Sequence, residues 1–286
     1  MLACVFLDRD NTLIANDGDL GDPAAVELLA GAAAAVKMLA DTDYALVVVT
    51  NQGGVARGKY TEEDVAAVHL RCEALLAADA QWHEGRPMIT KWMSCPFHPD
   101  GSVERYRREH PWRKPEPGML LAAAAELSVD LSKSWMVGDQ PRDIEAGSRA
   151  GCRTILVHAD PSTRSEAAMA SAADFVESSL FDAARRILRA DGRDAAPRWA
   201  QTSGARLTAN SGSLEDPLIR QMIATTAGTI ARDGGITLLK CVVDPSSVEI
   251  EVIGPAIVAI GFAAELRRST NAVSSTQGLG PLWVSE

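Results

Sequence analysis

Short apolar runs alternate with helical patterns from residue 3 onward, and this alternation limits the fold more than any other feature of the chain. The run YALVVVT (44–50) is continuously apolar and rich in β-branched residues, which is typical of a central parallel strand covered on both faces. Further strands are predicted at 3–7, 87–95, 134–139, 153–158 and, at the sheet edge, 173–178. Helices are predicted at 23–40, from Thr61 into the early 70s, and at 117–128, 142–151 and 180–189. The pattern predicts an α/β fold with a parallel sheet and helices on both faces, in which ligands bind at the carboxyl ends of the strands.

The composition changes after Leu188, where a stretch rich in Gly, Ala, Ser and Arg has no apolar period. We therefore predict a large domain at 1–190, a linker at 191–213 and a small α+β domain at 214–286. The small domain has a predicted helix at 216–232, a β-hairpin formed by 236–243 and 247–253, and a last helix that starts at Pro255 and has Arg267 and Arg268 near its end. Its near-balanced charge and lack of a polar cluster favour an interaction role such as self-association, with a regulatory unit or a second catalytic domain as the alternatives.

The composition argues against several classes of partner. A formal net charge of −10 is unfavourable for binding nucleic acid, whose phosphates attract basic surfaces. No apolar stretch reaches membrane-spanning length, and the N-terminal segment MLACVFLDRD lacks the basic residues of a signal peptide. The 5 cysteines are scattered and odd in number, so no disulfide framework is expected. We expect a cytoplasmic protein that binds neither nucleic acid nor a membrane.

Two carboxylates follow the first predicted strand, in the segment LDRDNTL. Asp8 and Asp10 are two residues apart, so on an extended strand both project from one face while Arg9 points away. Such a pair is tolerated when a cation lies between the carboxylates, or when one is a nucleophile and the other carries protons. The alternative is an acidic pair in a surface turn, which is common in isolation.

Polar residues also follow the later strands. Thr50 and Asn51 end the second strand and, with the glycines that follow, suit a phosphate group, although a simple turn is the alternative. Lys114 leads into a helix, where a lysine is ordinarily solvated. Asp139 and Asp143 lie at a strand–helix junction, where a helix-capping role is the alternative. The order DxDxT, Thr, Lys and GDxxxD at successive strand ends is more specific than any of its parts.

This order resembles the haloacid dehalogenase (HAD) superfamily of phosphohydrolases, which have a Rossmann-like parallel sheet. The segments FLDRDNTL, VVVTNQGGVARGKYTEE, CPFHPDGSVERYR, RKPEPGML and WMVGDQPRDIEAG are similar to those of the D-glycero-D-manno-heptose-1,7-bisphosphate phosphatases and the related histidinol-phosphate phosphatases. The resemblance covers about residues 1–190 and leaves the C-terminal domain unexplained. It implies a Mg²⁺-dependent phosphatase acting on a small sugar phosphate, foremost on the 7-phosphate of heptose 1,7-bisphosphate, with histidinol phosphate as the alternative. A non-catalytic regulatory protein on this scaffold would be expected to lack Asp8, Asp10 or Asp139, and all three are present.

The resemblance also implies roles for the motif residues. Asp8 would be the nucleophile that forms an aspartyl-phosphate, and Asp10 would act as general acid and then general base. Mg²⁺ would bind Asp8, the backbone carbonyl of Asp10, and Asp139. Asp143 is expected to orient Lys114 or the metal ligands rather than to bind Mg²⁺ itself. The implied substrate contacts are Thr50 and Lys114 to the phosphoryl oxygens and Arg113 to the rest of the substrate.

The chain departs from the heptose phosphatases at two places near the substrate. Gln140 stands where those enzymes usually have a lysine, which removes one cation that would bind a second substrate phosphate. The loop ANDGDLGDP (15–23) presents Asn16, Asp17 and Asp19 where the family meets the sugar. The residues implied in the phosphatase chemistry itself are unchanged.

A third departure concerns the loop CPFHPDGSVERYRREHPWRKP (95–115). In this subfamily a structural zinc is held by C-x-H and a later C-x-C. Cys95 matches the first ligand, whereas Phe97, His110 and Trp112 occupy the other three ligand positions. We predict that zinc is absent and that Phe97 and Trp112 pack on each other in its place. The alternative is a rescued zinc site, for which the candidate ligands are Cys95, His98 and His110 with Asp100, Glu109 or His83 as the fourth.

Overall fold

A computed structural model describes residues 2–82, 85–157, 173–193, 202–234, 236–254, 256–276 and 280–284. The chain divides into two compact units, residues 1–194 and 195–286. None of the described helices combines the length and apolar content that crossing a bilayer requires.

The first unit is built on a six-stranded sheet in which every pairing is parallel. The strands, in chain order, are β1 (Cys4–Leu7), β2 (Ala45–Asn51), β3 (Lys91–Cys95), β4 (Trp135–Gly138), β5 (Arg153–Val157) and β6 (Phe175–Glu177). They lie in the order β3-β2-β1-β4-β5-β6, so β1 is central and β6 is the predicted edge strand. Leu7 is in register with Val48 of β2 and Val137 of β4. The residues that follow these three strands therefore meet at the carboxyl-terminal edge of the sheet, where the strands end.

Helices cover this sheet. Among the described residues they are α1 (Ala32–Ala40), α2 (Glu62–Asp79), α3 (Gly118–Leu127), α4 (Pro141–Ala150) and α5 (Leu180–Ala190). Helix α3 packs on α4, and α1 packs on α2 and α5. All four residues of β1 are buried, which requires cover on both faces. Phe6, Met119 and Ala146 belong to one core cluster, which joins the sheet to α3 and α4. The predicted α/β class and parallel sheet are confirmed.

Some predicted elements of this unit were wrong in extent. The helix predicted at 23–40 is a 3₁₀ turn at Pro23–Ala25 followed by α1 from Ala32, because Leu28 pairs with Ile14 in an antiparallel bridge and Gly31 takes a left-handed conformation with φ 77°. The predicted strand at 87–95 is paired only over Lys91–Cys95. Helix α2 runs beyond the early 70s to Asp79, and it starts with a capping box between Thr61 and Asp64.

The described part of the second unit contains a separate antiparallel sheet and two helices. Its strands are β7 (Thr202–Thr208), β8 (Leu238–Val243) and β9 (Ser247–Ile253), in the order β7-β9-β8, and its helices are α6 (Pro217–Asp233) and α7 (Ala256–Thr276). Val248, Ile250 and Val252 of β9 are buried in a core that includes Ile223 of α6 and Phe262 of α7. The predicted β8–β9 hairpin and both predicted helices are present.

The predicted linker at 191–213 was too long at its C-terminal end. Residues 202–208 form β7, which pairs with β9 so that Ala205 opposes Ile250. The composition TSGARLT has weak strand character by itself, and the strand exists because β9 offers a partner. Residues 194–201 of the predicted linker lie outside the described residues, as do Pro255 and the end of the predicted strand at 153–158. Arg267 and Arg268 lie mid-helix, because α7 continues to Thr276.

Candidate active site

Asp8 lies immediately after β1, and its backbone N–H donates to the Val137 carbonyl of β4 at 2.9 Å. Its side chain is buried, with 5% of the residue exposed. The Nζ of Lys114 donates to Asp8 Oδ1 at 2.5 Å and to the Val49 carbonyl at 2.7 Å, and it also forms an ion pair with Asp143 Oδ1 at 2.7 Å. The lysine that sequence alone would expect to be solvated is therefore almost fully buried between two carboxylates.

Asn51 fixes the backbone on which Lys114 is carried. The Asn51 side chain donates from Nδ2 to the Lys114 carbonyl at 2.9 Å, and its Oδ1 accepts from the Lys114 N–H at 3.0 Å. This two-way hydrogen bond links the end of β2 to the loop before α3. Asn51 was predicted to contact phosphate, and its amide is here engaged with the protein backbone.

Asp139 and Asp143 belong to the junction of β4 and α4. Gln140 donates from Nε2 to Asp139 Oδ2 at 2.7 Å, and the backbone N–H of Gln140 donates to Asp143 Oδ2 at 3.0 Å. Gly138 allows this arrangement, because a Cβ at that position would lie 2.5 Å from the Asp143 side chain. Asp143 is fully buried. It takes part in the capping of α4, as predicted, and it also contacts Lys114 directly.

The carboxylates of Asp8, Asp139 and Asp143 lie together, each offering one oxygen within 4.8 Å of the others. Among the described residues this is the one group of three His, Cys, Asp or Glu side chains that is close enough to hold a metal ion. Lys114 contacts two of these three acids, Asp8 and Asp143, so with all three ionised the cluster has more negative than positive charge. A cation is the natural complement to such a cluster.

The electrostatics of this cluster follow from its burial. Burial raises the pKa of Asp8 to about 8, with the charges of Asp143 and Asp10 acting in the same direction and Lys114 opposing them. Burial also raises the pKa of Asp139. For Lys114 burial favours the neutral amine, but the charges of Asp143 and Asp8 outweigh it and raise the pKa of the ammonium group. Lys114 therefore stays protonated, and the crowding of the cluster raises the pKa values of the Asp8 and Asp139 carboxylates instead.

Asp10 is held by side chains from two segments. Its carboxylate accepts from Arg9 Nη2 at 3.0 Å, from Asn16 Nδ2 at 2.8 Å, from Gln52 Nε2 at 2.8 Å and from the Thr50 hydroxyl at 3.2 Å. These bonds tie together the loop after β1 and the end of β2. They also place the Thr50 hydroxyl against Asp10, where a phosphate contact was predicted.

Arg9 was not recognised from sequence as a residue of the site. It was expected to point away from Asp8 and Asp10, but it is fully buried and donates to both oxygens of Asp10. The extended geometry on which that expectation rested ends at Leu7, the last residue of β1. Gln52 was also missed, although a glutamine directly after an apolar strand was an available signal.

A cavity of about 300 Å³ opens at this edge of the sheet. Four predicted residues lie on its wall, namely Asp10, Asn51, Arg113 and Asp139. Asn16, Gly18 and Asp19 also line it, as predicted for the loop that meets the sugar. The remaining lining residues are Asn11, Gly53, Arg57, His98, Gln140 and Arg142. The volume is at the lower end of the range for small-molecule sites.

The predicted zinc loop is filled by ring contacts. The Phe97 ring stacks on the His110 ring with centroids 4.2 Å apart, and His110 meets Trp112 edge to face at 6.0 Å. The predicted direct packing of Phe97 on Trp112 is thus replaced by packing through His110. Cys95 is buried in the core. Cys95, His98 and His110 are all described and do not form a metal-binding group, whereas His83 lies outside the described residues.

A four-coordinate structural site requires about one zinc per chain. We expect the purified protein to contain far less zinc than that. The physical reason is that stacked apolar and imidazole rings occupy the space between the former ligand positions. Elemental analysis after extensive dialysis against metal-free buffer measures this directly. A stoichiometric zinc content that survives dialysis would contradict the prediction and support the rescued site.

The fold and the site together define a HAD-like hydrolase. The HAD-hydrolase-like family model matches residues 111–183. The chain is 37% identical over 194 residues to D-glycero-beta-D-manno-heptose-1,7-bisphosphate 7-phosphatase of Salmonella typhi, which covers 62% of this chain and 91% of that protein. It is 38% identical over 171 residues to the corresponding alpha-heptose phosphatase of Burkholderia mallei, covering 59% and 86%. The chain belongs to this family of heptose-bisphosphate phosphatases and is itself a phosphatase.

A solved structure agrees with this assignment. The D,D-heptose 1,7-bisphosphate phosphatase of B. bronchiseptica, complexed with magnesium and phosphate, is similar with a TM-score of 0.54 and 26% sequence identity, over 66% of this chain and 99% of that protein. The relatives are thus matched over nearly their whole length, and about a third of this chain extends beyond the similarity.

Proposed function

We propose that this phosphatase removes the 7-phosphate of D-glycero-D-manno-heptose 1,7-bisphosphate with the help of Mg²⁺ and through an aspartyl-phosphate on Asp8. The observation that carries the proposal is the Asp8 carboxylate, buried at the end of β1 in contact with Lys114, beside a polar cavity of sugar-phosphate size. Relatives with 37% and 38% identity that are named for this reaction support the choice of substrate.

The donor set fits Mg²⁺, which prefers carboxylate oxygens. Asp8 and Asp139 each have one oxygen without a hydrogen bond from a described residue, whereas Asp143 is engaged with Lys114 and the Gln140 N–H. We therefore assign Asp8 and Asp139 as ligands, with the backbone carbonyl of Asp10, and leave Asp143 to position Lys114. When bound, Mg²⁺ would neutralise negative charge on the transferring phosphoryl group.

The proposed reaction assigns each of these side chains a role. One oxygen of Asp8 attacks phosphorus, and the bond from phosphorus to the sugar oxygen breaks while Asp10 gives that oxygen a proton. Lys114 stabilises negative charge on the phosphoryl oxygens. In the second step Asp10 takes a proton from a water molecule, which attacks phosphorus and releases inorganic phosphate from Asp8. Arg9 acts as a positioning residue for Asp10 through both of its oxygens.

The candidate site residues all lie in the first unit. We propose that the second unit is not part of the phosphatase site and that it serves an interaction, including self-association. Its apolar core is closed by its own helices, as expected for a unit that folds around a core of its own.

Assays of purified protein with matched substrates test the proposed function. We expect kcat/KM for heptose 1,7-bisphosphate to exceed that for histidinol phosphate by about 10- to 100-fold or more, because a second phosphate adds charge-assisted hydrogen bonds. Activity should be lost with EDTA and recovered with excess Mg²⁺. A preference for histidinol phosphate would support the alternative substrate, and the absence of phosphatase activity on both compounds would favour a non-catalytic role.

A further inference from the structure

Arg9 uses only one side of its guanidinium group to hold Asp10. Its Nε and Nη2 donate to Asp10 Oδ1 at 3.2 and 3.0 Å, and Nη2 also donates to Oδ2 at 3.2 Å. The third nitrogen, Nη1, belongs to the other side of the planar group, is buried, and has no hydrogen-bond partner among the described residues. A buried nitrogen of a charged group needs an acceptor, so we searched the buried side chains around Arg9 for one.

His69 of α2 offers this acceptor. The residue is 9% exposed, and its Nε2 is buried and also lacks a hydrogen-bond partner within the described part of the chain. Its ring stacks on Trp92 of β3, with ring centroids 4.8 Å apart, which fixes the plane of the imidazole. Burial and the charge of Arg9 lower the pKa of His69 to about 3, against the opposite effect of Asp10, so the ring is neutral near pH 7. A neutral imidazole has one nitrogen that accepts a hydrogen bond.

The electrostatics indicate that Arg9 and His69 are neighbours. The charge of Arg9 acts to lower the pKa of both His69 and Cys72, which lie three residues apart on the buried face of α2. A donor that lacks an acceptor and an acceptor that lacks a donor therefore occur in one buried region. A hydrogen bond between them, direct or through one water molecule, would satisfy both atoms.

We propose that His69 is a positioning residue of the phosphatase site, whose Nε2 accepts a hydrogen bond from Arg9 Nη1 and thereby holds the guanidinium group in the orientation that fixes the Asp10 carboxylate. This inference rests on the proposed function, in which Asp10 is the general acid and then the general base. His69 carries no charge in this arrangement, so it contributes orientation alone. Its loss should weaken proton transfer by Asp10 more than it weakens substrate binding.

Two variants separate the acceptor of His69 from its ring. His69→Phe keeps a ring that can stack on Trp92 but has no acceptor, whereas His69→Gln loses the ring and keeps an acceptor at similar reach. We expect kcat/KM for heptose 1,7-bisphosphate to fall by about 10-fold in His69→Phe, the effect of one hydrogen bond to a charged group. In His69→Gln it should fall by less than about threefold. The opposite order, or no loss in His69→Phe, would overturn the proposal.

A second ester distinguishes a misplaced Asp10 from general damage to the site. The leaving group of p-nitrophenyl phosphate is stable as an anion, so its departure depends little on a general acid. The kinetic parameter kcat/KM covers only the steps up to that departure, which excludes the later role of Asp10 as a base. We expect His69→Phe to lower kcat/KM for this ester by less than about twofold. Equal losses on the two esters would overturn the positioning role.

Leu76→Ala is the matched control, because Leu76 is fully buried on the same helix and contributes no polar group. It should lower the unfolding free energy without changing the ratio of kcat/KM between the two esters. Thr12→Val tests a competing acceptor, since the Thr12 hydroxyl is also buried and without a partner among the residues that the structure describes. A ratio that changes in Thr12→Val and not in His69→Phe would overturn the role of His69.

Nuclear magnetic resonance of the histidine ring nitrogens needs no turnover, so it tests the contact even if hydrolysis is absent. The signals of His69 are identified by their loss in His69→Gln. We expect a ring that stays neutral down to about pH 5, with Nε2 unprotonated and an Nε2 signal that shifts in Arg9→Met. A proton on Nε2, or an Nε2 signal that Arg9→Met leaves unchanged, would refute the contact. Wild-type protein that hydrolyses neither ester would instead overturn the proposed function.

Discussion

Replacement of Asp8 by Asn should abolish turnover of every phosphate ester while leaving the fold intact. Asparagine has nearly the same shape but is not nucleophilic, so no aspartyl-phosphate can form. We expect kcat to fall by about 10⁴-fold or more, the scale of losing a nucleophile that acts as a unit with its neighbours. Steady-state assays measure the loss, and mass spectrometry of quenched wild-type protein should find the added phosphoryl group on Asp8.

The pH dependence of the unfolding free energy shows whether the Asp8→Asn protein has lost only its activity or also its fold. An acid whose pKa is raised on folding stabilises the protein fully below its unfolded pKa, and this contribution is lost as the pH rises through the folded value. For Asp8 the folded pKa is about 8, so the metal-free wild type should lose stability between about pH 4 and pH 8. Asp8→Asn removes this loss, and it should be the more stable protein at pH 8 in EDTA.

Asp41→Asn is the matched control, because it removes only a surface ion pair with Lys37 and lies outside the cavity. It should keep wild-type turnover and the wild-type pH dependence of stability. Asp8→Asn protein that retains more than about 1% of kcat would contradict the nucleophile assignment, since such a small effect is far below the expected loss.

The sequence predicts the large features of this site because strand ends have a geometric meaning. The carboxyl ends of parallel strands lie on the same side of a sheet, so the sequence predicts that Asp8, Thr50 and Asp139 meet there. The structure places all three at that edge. Lys114 was harder to place, because it reaches Asp8 from 106 positions away along the chain and nothing local marks it as buried.

The features that sequence reasoning missed are not encoded in a local pattern. Arg9 is buried and its guanidinium donates to both oxygens of Asp10, which no periodicity reveals. Residues 202–208 become a strand through pairing with β9, and the helix predicted from residue 23 is interrupted by the bridge between Ile14 and Leu28. In the last two cases a partner elsewhere in the chain overrides the local preference.

Replacement of Lys114 by Met should have the largest effect on stability, together with loss of turnover. The ammonium group lies 2.5 Å from Asp8 and 2.7 Å from Asp143, and all three groups are buried. Removing one partner of a buried ion pair costs about 3–5 kcal/mol, because the remaining charge is left without compensation. Denaturant unfolding in EDTA at pH 8 measures this loss of unfolding free energy.

Lys91→Met provides the matched control, since its ion pair with Glu126 at 2.7 Å lies at the surface. We expect that variant to lose less than about 1 kcal/mol and to keep full turnover. A similar loss in both variants would mean that the buried pair contributes no more than a surface pair.

The cause of the Lys114→Met defect can be isolated by removing the opposing charge. If uncompensated carboxylates destabilise the variant, adding Asp143→Asn should restore part of the unfolding free energy, because a neutral amide needs no cation beside it. Lowering the pH toward 5 should have the same effect by protonating Asp8, whose pKa is already raised by burial. Neither treatment should restore turnover, because the phosphoryl oxygens would still lack the lysine charge. Recovery of turnover with stability would show instead that Lys114 acts only as a structural cation, and that the charge stabilising the transferred phosphoryl group comes from another residue.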